Sequence, residues 1–299
     1  MSQPDVSVVM ATHNAAGTIG ECLESLKKQT FRGEAEIIVA DCSTDGTDEL
    51  IRKRFPGAKV LHFDRPRGVP ELIKEAMRHT EGRIVAVTEP RCLFPADWME
   101  KLRRAHESEY SVIGGAVENG RPDGLVSWAC YFADYGGFML PSDRKVTPIL
   151  AGNHISYKRE IIQERLDSMG EGFWKFFFNQ ELTRRGIPFL FDPELVAYYV
   201  PPETFWSFAR RYYQHARFFA ALRSREMSLG VRFLRAVSSP ALPLVLLYRR
   251  LRAPFGKRRH RAELLLSVPI LAAFVTSWAA GEMVGYLMGP ARPPQQVYQ

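Results

Sequence analysis

VSVVMATHN (residues 6–14) and, about 25 residues on, VADCSTDGT (39–47) decide how this chain is read. The first opens on a continuous run from Val6 to Ala11, the pattern of a strand buried on both faces. Residues 17–29 then place Ile19, Cys22, Leu23 and Leu26 on one helix face. EIIVAD (36–41) reads as a second strand and 47–55 as a second helix. AKVLHF (58–63), a helix over 70–80, RIVAVT (83–88) and a helix over 97–107 continue the alternation. This order predicts an α/β fold, a mostly parallel sheet with helices on both faces. Ligands collect at the carboxyl ends of such strands. Those ends carry Thr12-His13-Asn14, Asp41 to Thr47, and Thr88-Glu89-Pro90-Arg91-Cys92. No G-x-G-x-x-G follows strand one and no G-x-x-x-x-G-K-[ST] occurs, which argues against dinucleotide and P-loop sites.

Of 299 residues, 46% are apolar and 24% charged, values of a folded chain with a core. The cysteines, at 22, 42, 92 and 130, form no C-x-x-C pair, which argues against a zinc site or disulfide scaffold and suits a reducing compartment. The first apolar run is strand-sized and follows an acidic residue, so no signal peptide is expected. Charge is uneven. Residues 205–261 hold 14 of the 40 Lys and Arg against one acid, Glu226, which leaves the rest of the chain net negative. LLLSVPILAAFVTSWAAGEMVGYLM (264–288) follows directly, with the single charge Glu282. Twenty-five residues can cross a hydrocarbon core of about 30 Å. The basic side precedes the run, and only Arg292 lies beyond it, which puts the N-terminal side in the cytoplasm. Ala241 to Tyr248 contains Pro243 and is too short to span, so 236–252 is expected in the membrane interface, its arginines on anionic headgroups. The expected domains are 1–225 and a membrane region, 226–299. Nucleic acid is set aside, because the basic patch adjoins a membrane segment.

These segments resemble a family 2 glycosyltransferase of the GT-A (Rossmann-like) fold. The resemblance runs from VSVVMATHN and VADCSTDGT through RGVPELIKEAMRHTEGRIVAVTEPRC (67–92), IGGAVEN (113–119) and AGNHISYKRE (151–160). It continues through NQELTRRGIPFLFDPELVAYYV (179–200), RRYYQHARFFA (210–220) and GEMVGYLMG (281–289), so it covers essentially the whole chain. It implies a nucleotide-sugar donor, a lipid-linked or polysaccharide acceptor, inversion at the anomeric carbon, and work at the cytoplasmic face of the inner membrane for the cell envelope.

The resemblance assigns the donor nucleotide to Asp41, where a carboxylate ends strand two. Thr12, His13 and Asn14 would line the same pocket. Asp45 reads as an Asx-turn or the N-cap of the following helix. Arg67 could reach phosphate, and Gly68 permits close backbone approach. The family carries an acidic pair for Mg²⁺ or Mn²⁺ at the end of strand four. Here only Glu89 remains of it, with Pro90 and Arg91 beside it, which weakens a metal site and lets Arg91 stand in for the cation. Asn179 occupies the family's general-base position. Glu181 is the nearest carboxylate, unless it pairs with Arg184 or Arg185 along its helix, and His154 is a second base candidate. Asn153 falls in the acceptor-side loop, and Trp174 is a candidate apolar platform for the acceptor. Arg210, Arg211 and Arg217 would face phosphate or the membrane. A rival reading is a GT-A protein that binds a nucleotide or partner without turnover.

Overall fold

The computed structural model describes residues 3–170, 172–201, 204–224 and 227–288. They form two compact units, one of residues up to 120 with 140–200, the other of 121–139 with the chain beyond 200.

The first unit is built on a mixed sheet. Its N-terminal half follows the alternation read from sequence: β1 (Val6–Thr12), α1 (Ile19–Lys27), β2 (Ala35–Asp41), α2 (Thr47–Arg54), β3 (Ala58–His62), α3 (Val69–Arg78), β4 (Ile84–Thr88), β5 (Cys92–Leu93) and α4 (Trp98–Ala105). Next come β6 (Val112–Asn119), β7 (Lys145–Val146), β8 (His154–Lys158), α6 (Arg159–Gln163), α7 (Lys175–Arg184) and β9 (Phe189–Tyr199). The strand order is β3-β2-β1-β4-β8-β6-β9-β5, with β7 also on β9. β1, β2, β3 and β4 pair in parallel, and β8 runs antiparallel between β4 and β6. All of β1 is buried, as its unbroken apolar run requires. β6 and β9 pair in parallel but slip register between Gly115 and Ala116. Gly115 has no room for a Cβ there, because the Leu195 carbonyl lies against its Cα. The four cysteines are free and buried.

The second unit is helical: α5 (Gly124–Asp134), α8 (Phe205–Arg223), α9 (Leu229–Ser238), α10 (Leu242–Gly256), α11 (Arg261–Leu266) and α12 (Val268–Met288). Two stretches, 229–256 and Val268–Met288, are long and apolar enough to cross a membrane. Pro243 does not interrupt 241–248: it sits in the first turn of α10, where a missing N–H costs little. α8 runs beside α12 in the same direction. Phe208 packs at a tilt against Phe274 (4.4 Å between centroids), and Tyr212 meets Trp278 edge-on (5.1 Å). Gly281 and Gly285 lie directly on the carbonyls of Tyr213 and Arg217. Such small residues at four-residue spacing let two helix backbones touch. Gly281→Leu should therefore cost roughly 3 kcal/mol by overpacking, read as a lower thermal midpoint of the detergent-solubilised chain. Gly230→Leu, in open space on α9, should leave the midpoint unchanged.

α9 reverses the usual polarity of a surface helix. Arg232 turns inward and donates to the Tyr286 carbonyl (3.1 Å), satisfying the C-terminal end of α12. Leu229, Phe233 and Leu234 face outward at 76%, 65% and 68% exposure. Leu244, Val245 and Tyr248 extend that apolar surface along α10.

Candidate functional site

One rung of the parallel sheet organises the site. Thr12, Asp41 and His62 are register partners at the ends of β1, β2 and β3. The Thr12 hydroxyl donates to Asp41 Oδ1 (2.6 Å), and His62 Nδ1 donates to Oδ2 (2.8 Å). The Ser43 amide and hydroxyl also donate to this carboxylate. Asp41 is thus fully buried with both oxygens engaged, and it orders the crevice floor.

The β1 and β2 loops are laced together above it. Asn14 takes a left-handed backbone (φ 52°), which Asn tolerates. Its amide donates to Ser43 Oγ (2.8 Å), and its Oδ1 accepts the Thr44 amide (2.9 Å). His13 Nδ1 lies 3.1 Å from the Cys42 carbonyl. Asp45 accepts from the Thr47 amide (3.1 Å), an Asx-turn one residue before Gly46, the N-cap of α2. Burial pushes the Asp45 carboxyl up. Hydrogen bonds from the Thr47 hydroxyl and the Ala16 and Thr47 amides outweigh that and hold it below its ordinary value. Next along the crevice, Gly68 caps α3. The Arg67 guanidinium lies over the Phe63 ring (3.9 Å) and pairs with Glu71 (3.1 Å).

At the end of β4, Glu89 meets a residue that sequence reasoning passed over. Lys175, the first residue of α7, puts its Nζ 3.8 Å from Glu89 Oε1 and donates to the Gly152 carbonyl (2.6 Å). Asn153 follows Gly152, fully buried, its Nδ2 on Cys92 Sγ (3.3 Å). Trp174 is the N-cap residue of α7. Glu89, Asn153, Trp174 and Lys175 therefore gather at one corner. Arg91 lies in the turn just past Glu89, and its carbonyl accepts the Val200 amide.

The two base candidates fare differently. His154 is buried, accepts from Trp98 Nε1 at Nε2 (2.8 Å) and donates from Nδ1 to the Ala116 carbonyl (3.2 Å). Burial lowers its pKa to about 4, against the opposing Ala116 contact. Both nitrogens of His154 are thus committed inside the core. Glu181 pairs with Arg185, one of the two partners its helix spacing offered. It stands about 9 Å of helix rise beyond Lys175. Asn179, at the family's base position, accepts from the Tyr157 hydroxyl (2.8 Å).

Arg210, Arg211 and Arg217 all lie on α8 in the second unit. Arg210 is exposed, Arg211 pairs with Asp134 (2.7 Å), and Arg217 donates to Met288 Sδ (3.4 Å).

A divalent cation does not suit the Glu89 corner. One carboxylate faces an ammonium there, Pro90 offers no ligand, and Arg91 is cationic. Asp41, Asp48 and His62 do bring three ligand atoms within 4.8 Å of one another. The His62–Asp41 contact is a 2.8 Å hydrogen bond, and Arg52 lies 3.7 Å from Asp48, so this group satisfies itself.

The chain is 30% identical over 111 residues to a dolichyl-phosphate hexose transferase of Haloferax volcanii, covering 37% of this chain and 47% of that one. It is 28% identical over 127 residues to the glycosyltransferase AglE of the same organism, covering 40% and 42%. It spans less than half the length of these relatives. The mannosyltransferase PcManGT of Pyrobaculum calidifontis, solved with GDP-Man and Mn²⁺, shares the fold with a TM-score of 0.60 at 21% identity, over 94% of this chain and 88% of that one. The model of Glycosyl transferase family 2 matches residues 7–166, from the start of β1 to beyond the Asn153 loop. The chain belongs to glycosyl transferase family 2.

Proposed function

We propose that the chain transfers a hexose from a nucleotide-sugar donor to a lipid-linked or glycan acceptor at the cytoplasmic face of a membrane, with inversion. The observation that carries this is the convergence of the Asp41 rung, the Arg67–Gly68 cap and the Glu89–Lys175 corner on the carboxyl end of one sheet. The nucleotide would lie over the β1 and β2 loops, the diphosphate toward Arg67 and Glu89, and the sugar toward Asn153 and Trp174. Membrane placement is supported by α9 and α10, whose outward apolar side chains continue into Arg249, Arg250, Arg252 and the 257–261 basic run. Such a face suits an anionic leaflet.

Glu181 is the proposed base. Its exposed pair with Arg185 is worth only about 0.3–0.5 kcal/mol, so an acceptor hydroxyl can displace it. Deprotonation by a positioned carboxylate contributes about 100-fold or more. Glu181→Gln should lower turnover by that factor with donor affinity intact. The measurement is nucleoside diphosphate release from a panel of UDP- and GDP-sugars by the detergent-solubilised chain. A second reading, donor binding without turnover, is favoured by the engaged Asn179 and His154. Binding with no release from any sugar would establish it, and no binding at all would sink both.

A further inference from the structure

We propose that the Lys175 ammonium occupies the place of a divalent cation at the end of β4 and that donor binding is independent of metal. The inference rests on the donor-site reading above and goes beyond it by naming the residue that meets the diphosphate. A leaving nucleoside diphosphate develops negative charge, and a preorganised positive group must face it. The position that the family uses for an acid–metal–phosphate bridge holds instead an acid–ammonium contact, Glu89 Oε1 to Lys175 Nζ at 3.8 Å.

Three features fit Lys175 for this. It is the first residue of α7, so its backbone lies at the positive end of that ten-residue helix. The Gly152 carbonyl takes one of its protons at 2.6 Å and fixes the side chain in the crevice. The contact with Glu89 is longer than a hydrogen bond, so two ammonium protons remain to turn toward phosphate oxygens. The site is also closed to substitution nearby. Gly172 lies against the Pro70 backbone, where an added Cβ would come 2.7 Å from the carbonyl carbon. The Phe173 amide donates to the Pro70 carbonyl (2.7 Å), and Lys74 donates to the Gly170 carbonyl (2.7 Å). Gly170 and Phe173, before α7, are therefore pinned to Lys74 and Pro70 of α3, which fixes where Lys175 starts. Arg91 adds a second cation just past Glu89.

The test is calorimetric titration of the full-length, detergent-solubilised chain with GDP and with UDP, in EDTA and in Mn²⁺. The nucleotide that binds should do so within about threefold the same under both conditions. Lys175→Met should weaken binding in EDTA by about 30-fold or more, as for loss of a charge-assisted contact. Mn²⁺ should restore part of that loss, because without the ammonium Glu89 and the diphosphate oxygens can share a cation. The Lys175→Met/Glu89→Gln double variant should not be rescued. Lys175→Arg, which keeps the charge, checks that the position tolerates change. Strong loss of wild-type binding in EDTA overturns the proposal without touching the glycosyltransferase reading. Unaltered binding by Lys175→Met in EDTA overturns it as well. Failure of wild type to bind either nucleotide under both conditions overturns the donor site and this proposal together.

Discussion

Acidification from pH 8 to pH 5 should cost the first unit about 4 kcal/mol of stability, with His106 and His154 contributing about 2 kcal/mol each. Both are buried and neutral. Burial, reinforced by the Lys158 charge, lowers the His106 pKa to about 3, and burial lowers that of His154 to about 4. Unfolded histidine takes a proton near pH 6.5. Between about pH 6.5 and 4 the unfolded chain therefore binds more protons, and stability falls as pH falls. The geometry explains the reluctance. Ser156 gives its hydroxyl proton to the Ile113 carbonyl, so His106 must present Nε2–H to Ser156. A second proton on His106 would sit at buried Nδ1, which has no hydrogen-bond partner among the described residues. A second proton on His154 would break the bond from Trp98. Asp45, held below its ordinary value, stays ionised from pH 8 to pH 5, and the stability it lends is lost only at lower pH, as the unfolded carboxyl takes up its proton. Urea midpoints across the window should show the loss, and the His106→Gln/His154→Gln variant should flatten it. An unchanged slope in that variant would assign the acid lability elsewhere.

Asp41→Ala should destabilise the same unit by about 3–5 kcal/mol, the range for stranding buried donors that lose a charged acceptor. Thr12, Ser43 and His62 all donate to this one carboxylate. The loops that they brace, 12–16 and 41–47, would loosen as well, and nucleotide affinity should fall with stability. A lower urea midpoint at unchanged slope is the expected signature. An Asp41→Ala midpoint equal to wild type would show that the rung is ornamental. Weakened nucleotide binding with intact stability would instead mean direct contact between Asp41 and the base or ribose.

The sheet through α4 was legible because each element there carries its own signal. Val6 to Ala11 is unbroken, and α1 repeats at helical spacing. What escaped reading depends on partners far away in sequence. His62 joined the site only through the register of β3 on β2. Trp98, 56 residues before His154, is what closes that imidazole into the core. Lys175 could have been suspected as a cation opening a helix after Trp174, but nothing local says that this helix starts beside Glu89. The helical unit was legible as apolar and basic, yet its strongest packing, Gly281 and Gly285 on α8, follows from small residues whose partner cannot be read from one segment.

The helical unit is interrupted in sequence, and that has a consequence for synthesis. α5 leaves the chain after β6 and must wait for α11 and α12, which begin more than a hundred residues later. At about 5–20 residues per second, a nascent chain holds α5 without these partners for roughly 6 to 25 seconds. Trp128, Tyr131 and Phe132, buried in the finished protein, are bare during that interval. The sheet need not wait with them, because the Leu140 amide bonds to Glu118 across the base of the excursion (3.0 Å). Biogenesis thus falls into two stages, a sheet that can close around a pending loop and a helical cluster assembled only when α11 and α12 leave the ribosome. A fragment ended at Val200 would keep α5 permanently in its waiting state, as a chaperone client rather than a tidy catalytic domain.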